Sequence, residues 1–165
     1  MQKMSTPRIV EHRLYEYLVT NDPSRLDLEA MHRQLRTLYW CEEIPFVTLQ
    51  TAVANSLCFG MYHGAKQIGL VRLVTDFATL GYLCDVYVLD EYQGRKLGTW
   101  MIDCVMKYPM MAKLRRISLV TRDAQELYRK VGFDSSEYPD RAMEIVRPGM
   151  YKKDQPIRAR TNRAN

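Results

Sequence analysis

The residues of this 165-residue chain that could do chemistry gather between positions 85 and 133. Asp85 interrupts the otherwise apolar run Tyr82-Leu83-Cys84-Asp85-Val86-Tyr87-Val88-Leu89. A glycine-bearing turn follows, Gln93-Gly94-Arg95-Lys96-Leu97-Gly98-Thr99, and Tyr128 lies in Leu127-Tyr128-Arg129-Lys130-Val131-Gly132-Phe133. Where a turn of this kind leads from a strand into a helix, unpaired backbone N–H groups and the positive end of the helix dipole bind phosphate without a dedicated side chain. Gly94 and Gly98 allow close approach of backbone to ligand. Tyr128 adds a phenol beside that cradle. Asp85 adds a carboxylate in apolar surroundings, which either handles a proton or serves as a structural hydrogen-bond partner.

The elements that must carry these groups follow from periodicity and breakers. Residues 82–89 are β-branched and aromatic, too short for a helix, and bounded by Asp90-Glu91, so they read as a strand. Trp100, Met101, Cys104, Val105 and Tyr108 recur at helical spacing from Gly98 until Pro109. Residues 117–121 read as a strand and 123–130 as a short helix. Upstream, 12–20 is predicted as one first strand ended by Asn21-Asp22-Pro23-Ser24. A helix with Leu28, Met31, Leu35 and Leu38 on its apolar face comes next, and Pro45 separates it from a second helix at 48–55. Residues 57–62 and 67–75 form a hairpin around His63-Gly64-Ala65-Lys66. Alternation of Met143 and Ile145 predicts a last strand at 141–147. The expected fold is α/β: a mixed sheet flanked by helices, with no repeat and no second domain.

Composition narrows the function. The length and 47% hydrophobic content suit one domain with a full core. No run approaches 18 apolar residues and the first residues lack a hydrophobic signal region, so a cytoplasmic protein with no membrane partner is expected. Cys41, Cys58, Cys84 and Cys104 form no C-x-x-C pair; the last three lie in apolar patterns and read as buried small hydrophobes in a reducing compartment. His12, His32 and His63 lack ligand spacing, so no metal is expected. The net charge of +5 sits entirely at the end: residues 1–146 hold 18 basic and 18 acidic side chains, residues 147–165 six and one. Residues 1–147 thus read as the folded domain and 148–165 as a flexible basic tail, which permits salt-sensitive polyanion contact and no specific nucleic-acid reading.

The strand, glycine turn and helix also occur in folds that bind nothing, and the absence of G-x-x-x-x-G-K-[ST] and of G-x-G-x-x-G disfavours the two common nucleotide folds. The turn does resemble the Q/R-x-x-G-x-G/A acyl-CoA loop of the GCN5-related N-acetyltransferases (GNAT enzymes) at Gln93 and Gly98, with Lys96 at the family's middle glycine. Lys96 either swings out to solvent or adds a cation to the phosphate contacts. A second segment, Asp123-Ala124-Gln125-Glu126-Leu127-Tyr128-Arg129-Lys130-Val131-Gly132-Phe133, is similar to the family's N-x-x-A-x-x-L-Y-x-K-x-G-F ending, with Asp123 near the usual Asn and Ala124 at a shifted offset. Residues 57–146 carry the resemblance. The runs 55–60, 74–76 and 121–124 look like a bacterial-type subgroup of small single-domain members.

The resemblance implies a mostly antiparallel sheet with splayed central strands, and acetyl transfer from acetyl-CoA to an amine by direct attack. It implies that Gln93, Gly94, Arg95, Lys96, Leu97, Gly98 and Thr99 hold the cofactor, that Asp123 stands where the pantetheine arm is contacted, and that a backbone N–H near Val86, Tyr87 and Val88 polarises the thioester carbonyl. Tyr128 is then the acid at the CoA sulfur, its ordinary pKa of about 10 being close to that of a thiol. Asp85 is the first candidate base and Asp76 the second, also as a substrate contact. Tyr39 and Trp40, beside Glu42 and Glu43, suit a cationic small-molecule or peptide amine and equally suit a hydrophobic lid. A homodimer is implied by the family's habit, although no exposed apolar stripe requires one. A CoA-binding regulator without catalysis, and a nucleic-acid accessory protein acting through the tail, are the other classes the sequence leaves open.

Overall fold

The computed structural model describes residues 7–152. Six strands form one sheet in chain order: β1 (Glu11–Leu14), β2 (Tyr17–Thr20), β3 (Leu57–His63), β4 (Lys66–Thr75), β5 (Leu80–Val88) and β6 (Arg116–Ser118). The first five are antiparallel neighbours and β6 is parallel to β5. Helices α1 (Leu28–Leu35), α2 (Phe46–Ala54), α3 (Leu97–Met106) and α4 (Gln125–Arg129) flank the sheet. The mixed, mostly antiparallel α/β architecture is the expected one.

Local chemistry accounts for the element ends. Asp27 caps α1, its side chain accepting from the Ala30 N–H at 2.8 Å, and Pro45 fixes the start of α2. A two-residue loop, Gly64-Ala65, joins β3 to β4, with Gly64 at φ +58. The fold buries two apolar layers. On one face α3 places Met101, Ile102 and Val105 against Phe59, Val71 and Leu83. On the other, α1 and α2 place Met31, Leu35 and Leu49 against Cys58, Leu70 and Tyr87.

Two expectations are corrected. The single strand at 12–20 is the β1–β2 hairpin, turning at Tyr15-Glu16 with Tyr15 at φ 52 and 90% exposed. The turn was hidden because neither glycine nor proline marks it. The strand at 141–147 does not form: Pro139–Arg141 is a short 3-10 turn, and Met143 and Ile145 beyond it stand 96% and 83% exposed. Alternation prescribes a face, but among the described residues no ladder of hydrogen bonds joins this segment to a strand. Of the expected basic tail 148–165, residues beyond 152 lie outside the described ones. Tyr151 packs against the α1–α2 layer, and Lys152 Nζ donates to Glu42 Oε2 at 2.7 Å.

All four cysteines are free; Cys41, Cys58 and Cys104 are buried and Cys84 is half-buried. Burial pushes Cys41 and Cys58 up to about 12 and Cys84 and Cys104 up to about 11. A raised thiol pKa favours the fold fully below the unfolded value and ceases to as pH climbs through the folded value. The melting temperature is therefore expected to fall continuously above the ordinary thiol pKa of 9.0, with Cys58 alone contributing about 1.4 kcal/mol per pH unit up to its folded value. A melting curve that is level across that range in scanning fluorimetry contradicts this.

Candidate active site

The loop between β5 and α3 has the features of a phosphate cradle. Past β5, the Gln93 side-chain amide donates to the Val88 carbonyl and to Asp90 Oδ1, both at 2.9 Å, which fixes the exit from the strand. Gly94 has φ +75 and Lys96 φ 62, so Lys96 adopts the left-handed conformation that a glycine would take there, with its side chain exposed. Lys96 is the N-cap of α3 and supplies no side-chain cap, leaving the first-turn N–H groups without a side-chain acceptor. Leu97 is 3% exposed and anchors that turn in the core. Arg95 is held beside the loop, donating to the Glu91 carbonyl at 3.1 Å and to the Tyr17 hydroxyl at 3.4 Å. Thr99 is half-buried in the same turn.

Gly98 is the point of convergence. A Cβ at this position would lie 3.3 Å from Leu127 Cδ1 on α4 and 3.8 Å from Val88 Cγ2 on β5. The phosphate loop, the end of β5 and the helix carrying Tyr128 thus meet around one missing side chain. An uncapped helix start with cationic Arg95 and Lys96 beside it fits a pyrophosphate.

The sheet opens beside this loop. β5 pairs with β6 only from Leu80 to Tyr82, then runs on to Val88 without β6 alongside. The splay lies next to the sheet's last strand, since 141–147 adds no further strand. On the β4 side the register shifts: Arg72 pairs with Cys84 but Leu70 with Tyr87, so Asp85 and Val86 together oppose Val71. This is a bulge, and Asp85 has φ 51. The extra residue turns Asp85 to the same face as Cys84, where its Oδ2 accepts from Arg72 Nε at 2.6 Å. The two side chains are 10% and 16% exposed. Burial pulls Arg72 down, and the Asp85 charge and hydrogen bond more than offset it, leaving the guanidinium raised.

Tyr128 is 8% exposed. After α4, Gly132 at φ +97 reverses the chain, so that the Phe133 N–H donates to the Tyr128 carbonyl at 3.1 Å and the two rings meet edge to face at 5.8 Å. Burial, with a smaller contribution from nearby Tyr39, pushes the phenol up to about 12. Arg122 brings the loop that carries Tyr39 to the segment before α4. Tyr39 and Trp40 stack edge to face at 4.9 Å, and the Arg122 guanidinium lies 4.0 Å from the Tyr39 ring centroid. Asp123 is exposed and touches Arg122 at 3.4 Å.

Asp76 is not brought to this group. It closes the β4–β5 turn, its carboxylate accepting from the N–H groups of Ala78, Thr79 and Leu80 and from the Thr79 hydroxyl. These bonds, the Thr79 hydroxyl first, hold it well below the usual carboxylate range. Two residues with no expected role contact the candidates, Arg72 through Asp85 and Arg122 through Tyr39 and Asp123. Arg72 interrupts the apolar run Leu70-Val71-Arg72-Leu73-Val74 as Asp85 interrupts β5, so the same signal was present. Arg122 carries no signal outside its place in the fold.

A cavity of about 410 Å³ lies between β6, α4 and residues 133–136; Tyr128 lines it, whereas residues 86–88 and 93–99 do not. A hollow of about 340 Å³ between α1 and the start of β4 includes Tyr87. Among the described residues no group of three His, Cys, Asp or Glu could hold a metal ion, and no helix is long and apolar enough to cross a membrane.

A model described as Acetyltransferase (GNAT) family matches residues 13–133. The chain is 34% identical, over 139 residues, to a Gibberella zeae protein whose name is that of an acetyltransferase; the match covers 70% of this chain and 77% of the other. A GNAT-family crystal structure from Xanthomonas campestris is similar at TM-score 0.79 and 39% identity, over 82% of this chain and 96% of that one. A Mycobacterium tuberculosis structure solved in complex with CoA shares the fold at TM-score 0.58 and 24% identity, over 72% of each chain.

Proposed function

The chain belongs to the GNAT acetyltransferase family, whose enzymes use acetyl-CoA, and from that premise we propose that it transfers acetyl to an amine by direct attack in a ternary complex. The observation that supports this best is the meeting of loop 93–99, β5 and α4 at Gly98, because it ties a phosphate cradle to the helix that carries a buried phenol. Acetyl-CoA supplies a thioester: the acceptor nitrogen forms a C–N bond, the C–S bond breaks, nitrogen loses a proton and sulfur gains one.

The chain's residues have separate tasks in this reading. The N–H groups of Gly98 and Thr99, with Arg95 and Lys96, hold the pyrophosphate. A backbone N–H on the open side of β5, near Val86 to Val88, polarises the carbonyl. Asp123 faces the pantetheine arm. With its phenol near 12 and an alkyl thiol near 8.5, handing a full proton to the thiolate is uphill by about 5 kcal/mol, so Tyr128 acts chiefly by donating a hydrogen bond to the departing sulfur. Asp85, through water, accepts from or orients the entering ammonium while paired with Arg72. Tyr39 and Trp40 line the entry for a small-molecule or peptide amine, and the enzyme works in the cytoplasm.

Incubating the protein with acetyl-CoA and a panel of primary amines, and following thiol release, tests the reading. One amine class should give acetyl-CoA-dependent turnover with intersecting double-reciprocal lines, as direct attack requires. Parallel lines, the mark of an acetyl-enzyme, contradict it.

A further inference from the structure

Arg72 sits at the centre of a brace that ties three strands and one helix to the β5 bulge. In the sheet it lies between Cys58 on β3 and Cys84 on β5. Its Nε donates to Asp85 at 2.6 Å, and its Nη1 donates to Ser56 Oγ at 3.1 Å. Ser56 Oγ in turn donates to the Ala52 carbonyl at 2.7 Å, in the last turn of α2. The guanidinium therefore links the acceptor-side helix to the one residue of β5 whose backbone is left-handed.

That linkage is aimed at a particular strain. A non-glycine residue in the left-handed region is strained and stays there only where its surroundings hold it. Asp85 is so placed at φ 51. Nothing on its own strand compensates, whereas the nearly buried, charge-assisted bond to Arg72 does. The same left-handed step sets where the next N–H groups point, because a bulge re-aims the chain that follows it.

Resting on the acetyltransferase reading, we infer that Arg72 is a positioning residue for acetyl transfer. Through Asp85 and Ser56 it fixes the β5 bulge so that a backbone N–H on the open side of β5, near Val86 to Val88, meets the thioester carbonyl. Arg72 does not touch the reacting atoms. Its effect is geometric, and a displacement of about 1 Å at such donors costs on the order of 100-fold in rate.

The effect can be read without an acceptor, from the carbonyl stretch of isotope-labelled acetyl-CoA in infrared difference spectra. Bound to the native protein, the band should lie below that of free acetyl-CoA. In Arg72→Met at least half of that displacement should vanish, while the Kd for acetyl-CoA stays within about threefold, because the phosphate loop is untouched. Arg72→Lys keeps the charge opposite Asp85 and should restore most of it. If Arg72→Met does not fold, Ser56→Ala removes one arm of the brace and should give a smaller loss. A native-like band in Arg72→Met, or in Ser56→Ala where that variant replaces it, overturns the inference. So does a native complex with no displacement. Absence of acetyl-CoA binding by the native protein would instead defeat the acetyltransferase reading itself.

Discussion

Replacing Gly98 by glutamate is expected to weaken acetyl-CoA binding at least 100-fold, about 2.7 kcal/mol. Two effects add. The new side chain starts 3.3 Å from Leu127 Cδ1 and 3.8 Å from Val88 Cγ2, so it must displace them or bend back toward the helix start. Its carboxylate then stands among the N–H groups that the pyrophosphate needs, and two like charges about 4 Å apart repel by about 4 kcal/mol at an effective dielectric of 20. Overpacking against Leu127 and Val88 costs about 1–3 kcal/mol, partly offset by about 0.3–1 kcal/mol from a carboxylate in the first turn, so a melting curve of the variant separates lost binding from lost fold. Gly98→Ala is the matched control. Its Cβ presses only on a flexible leucine tip, so binding should weaken less than about tenfold. Calorimetry on both variants checks the pair, and equal affinities for Gly98→Glu and the native protein would remove the phosphate loop from the account.

Tyr128→Phe is expected to lower kcat about 100-fold, with the KM for acetyl-CoA little changed. The ring keeps its edge-to-face contact with Phe133, so the substitution deletes only the hydroxyl. With the phenol near 12, Tyr128 remains the protonated donor throughout the range in which the fold is stable, and the native rate should show no alkaline loss traceable to it below the pH at which the buried thiols weaken the fold. Steady-state kinetics with the amine identified by thiol release decide this. A Phe variant with native kcat would mean that Tyr128 only packs α4 against the sheet.

Much of this arrangement could be read along the chain, and what could not has a physical cause. β5, the loop at 93–99 and α3 announce themselves, because β-branched residues, two glycines and Pro109 each force one local conformation. Lys96 shows the limit of that logic: it occupies a glycine's conformation although its type argues against it. The turn at Tyr15 escaped notice for the same reason. At 141–147 the alternation was genuine, yet a strand also needs an unpaired neighbour in reach, which a linear pattern does not encode. Asp85 could be singled out as a charge in an apolar strand, but reading one strand at a time hid its partner Arg72, thirteen residues earlier on the neighbouring strand. Tyr39 lies far from Arg122 along the chain, and only the fold brings its ring under that guanidinium, just before α4.

The most direct test of the central claim is isothermal titration of acetyl-CoA into the native protein. Saturable binding is expected, with a Kd on the order of micromolar, equivalent to about 8 kcal/mol. No binding by the native chain would contradict it, leaving the cradle at Gly98 without a ligand and Tyr128 without a sulfur to meet.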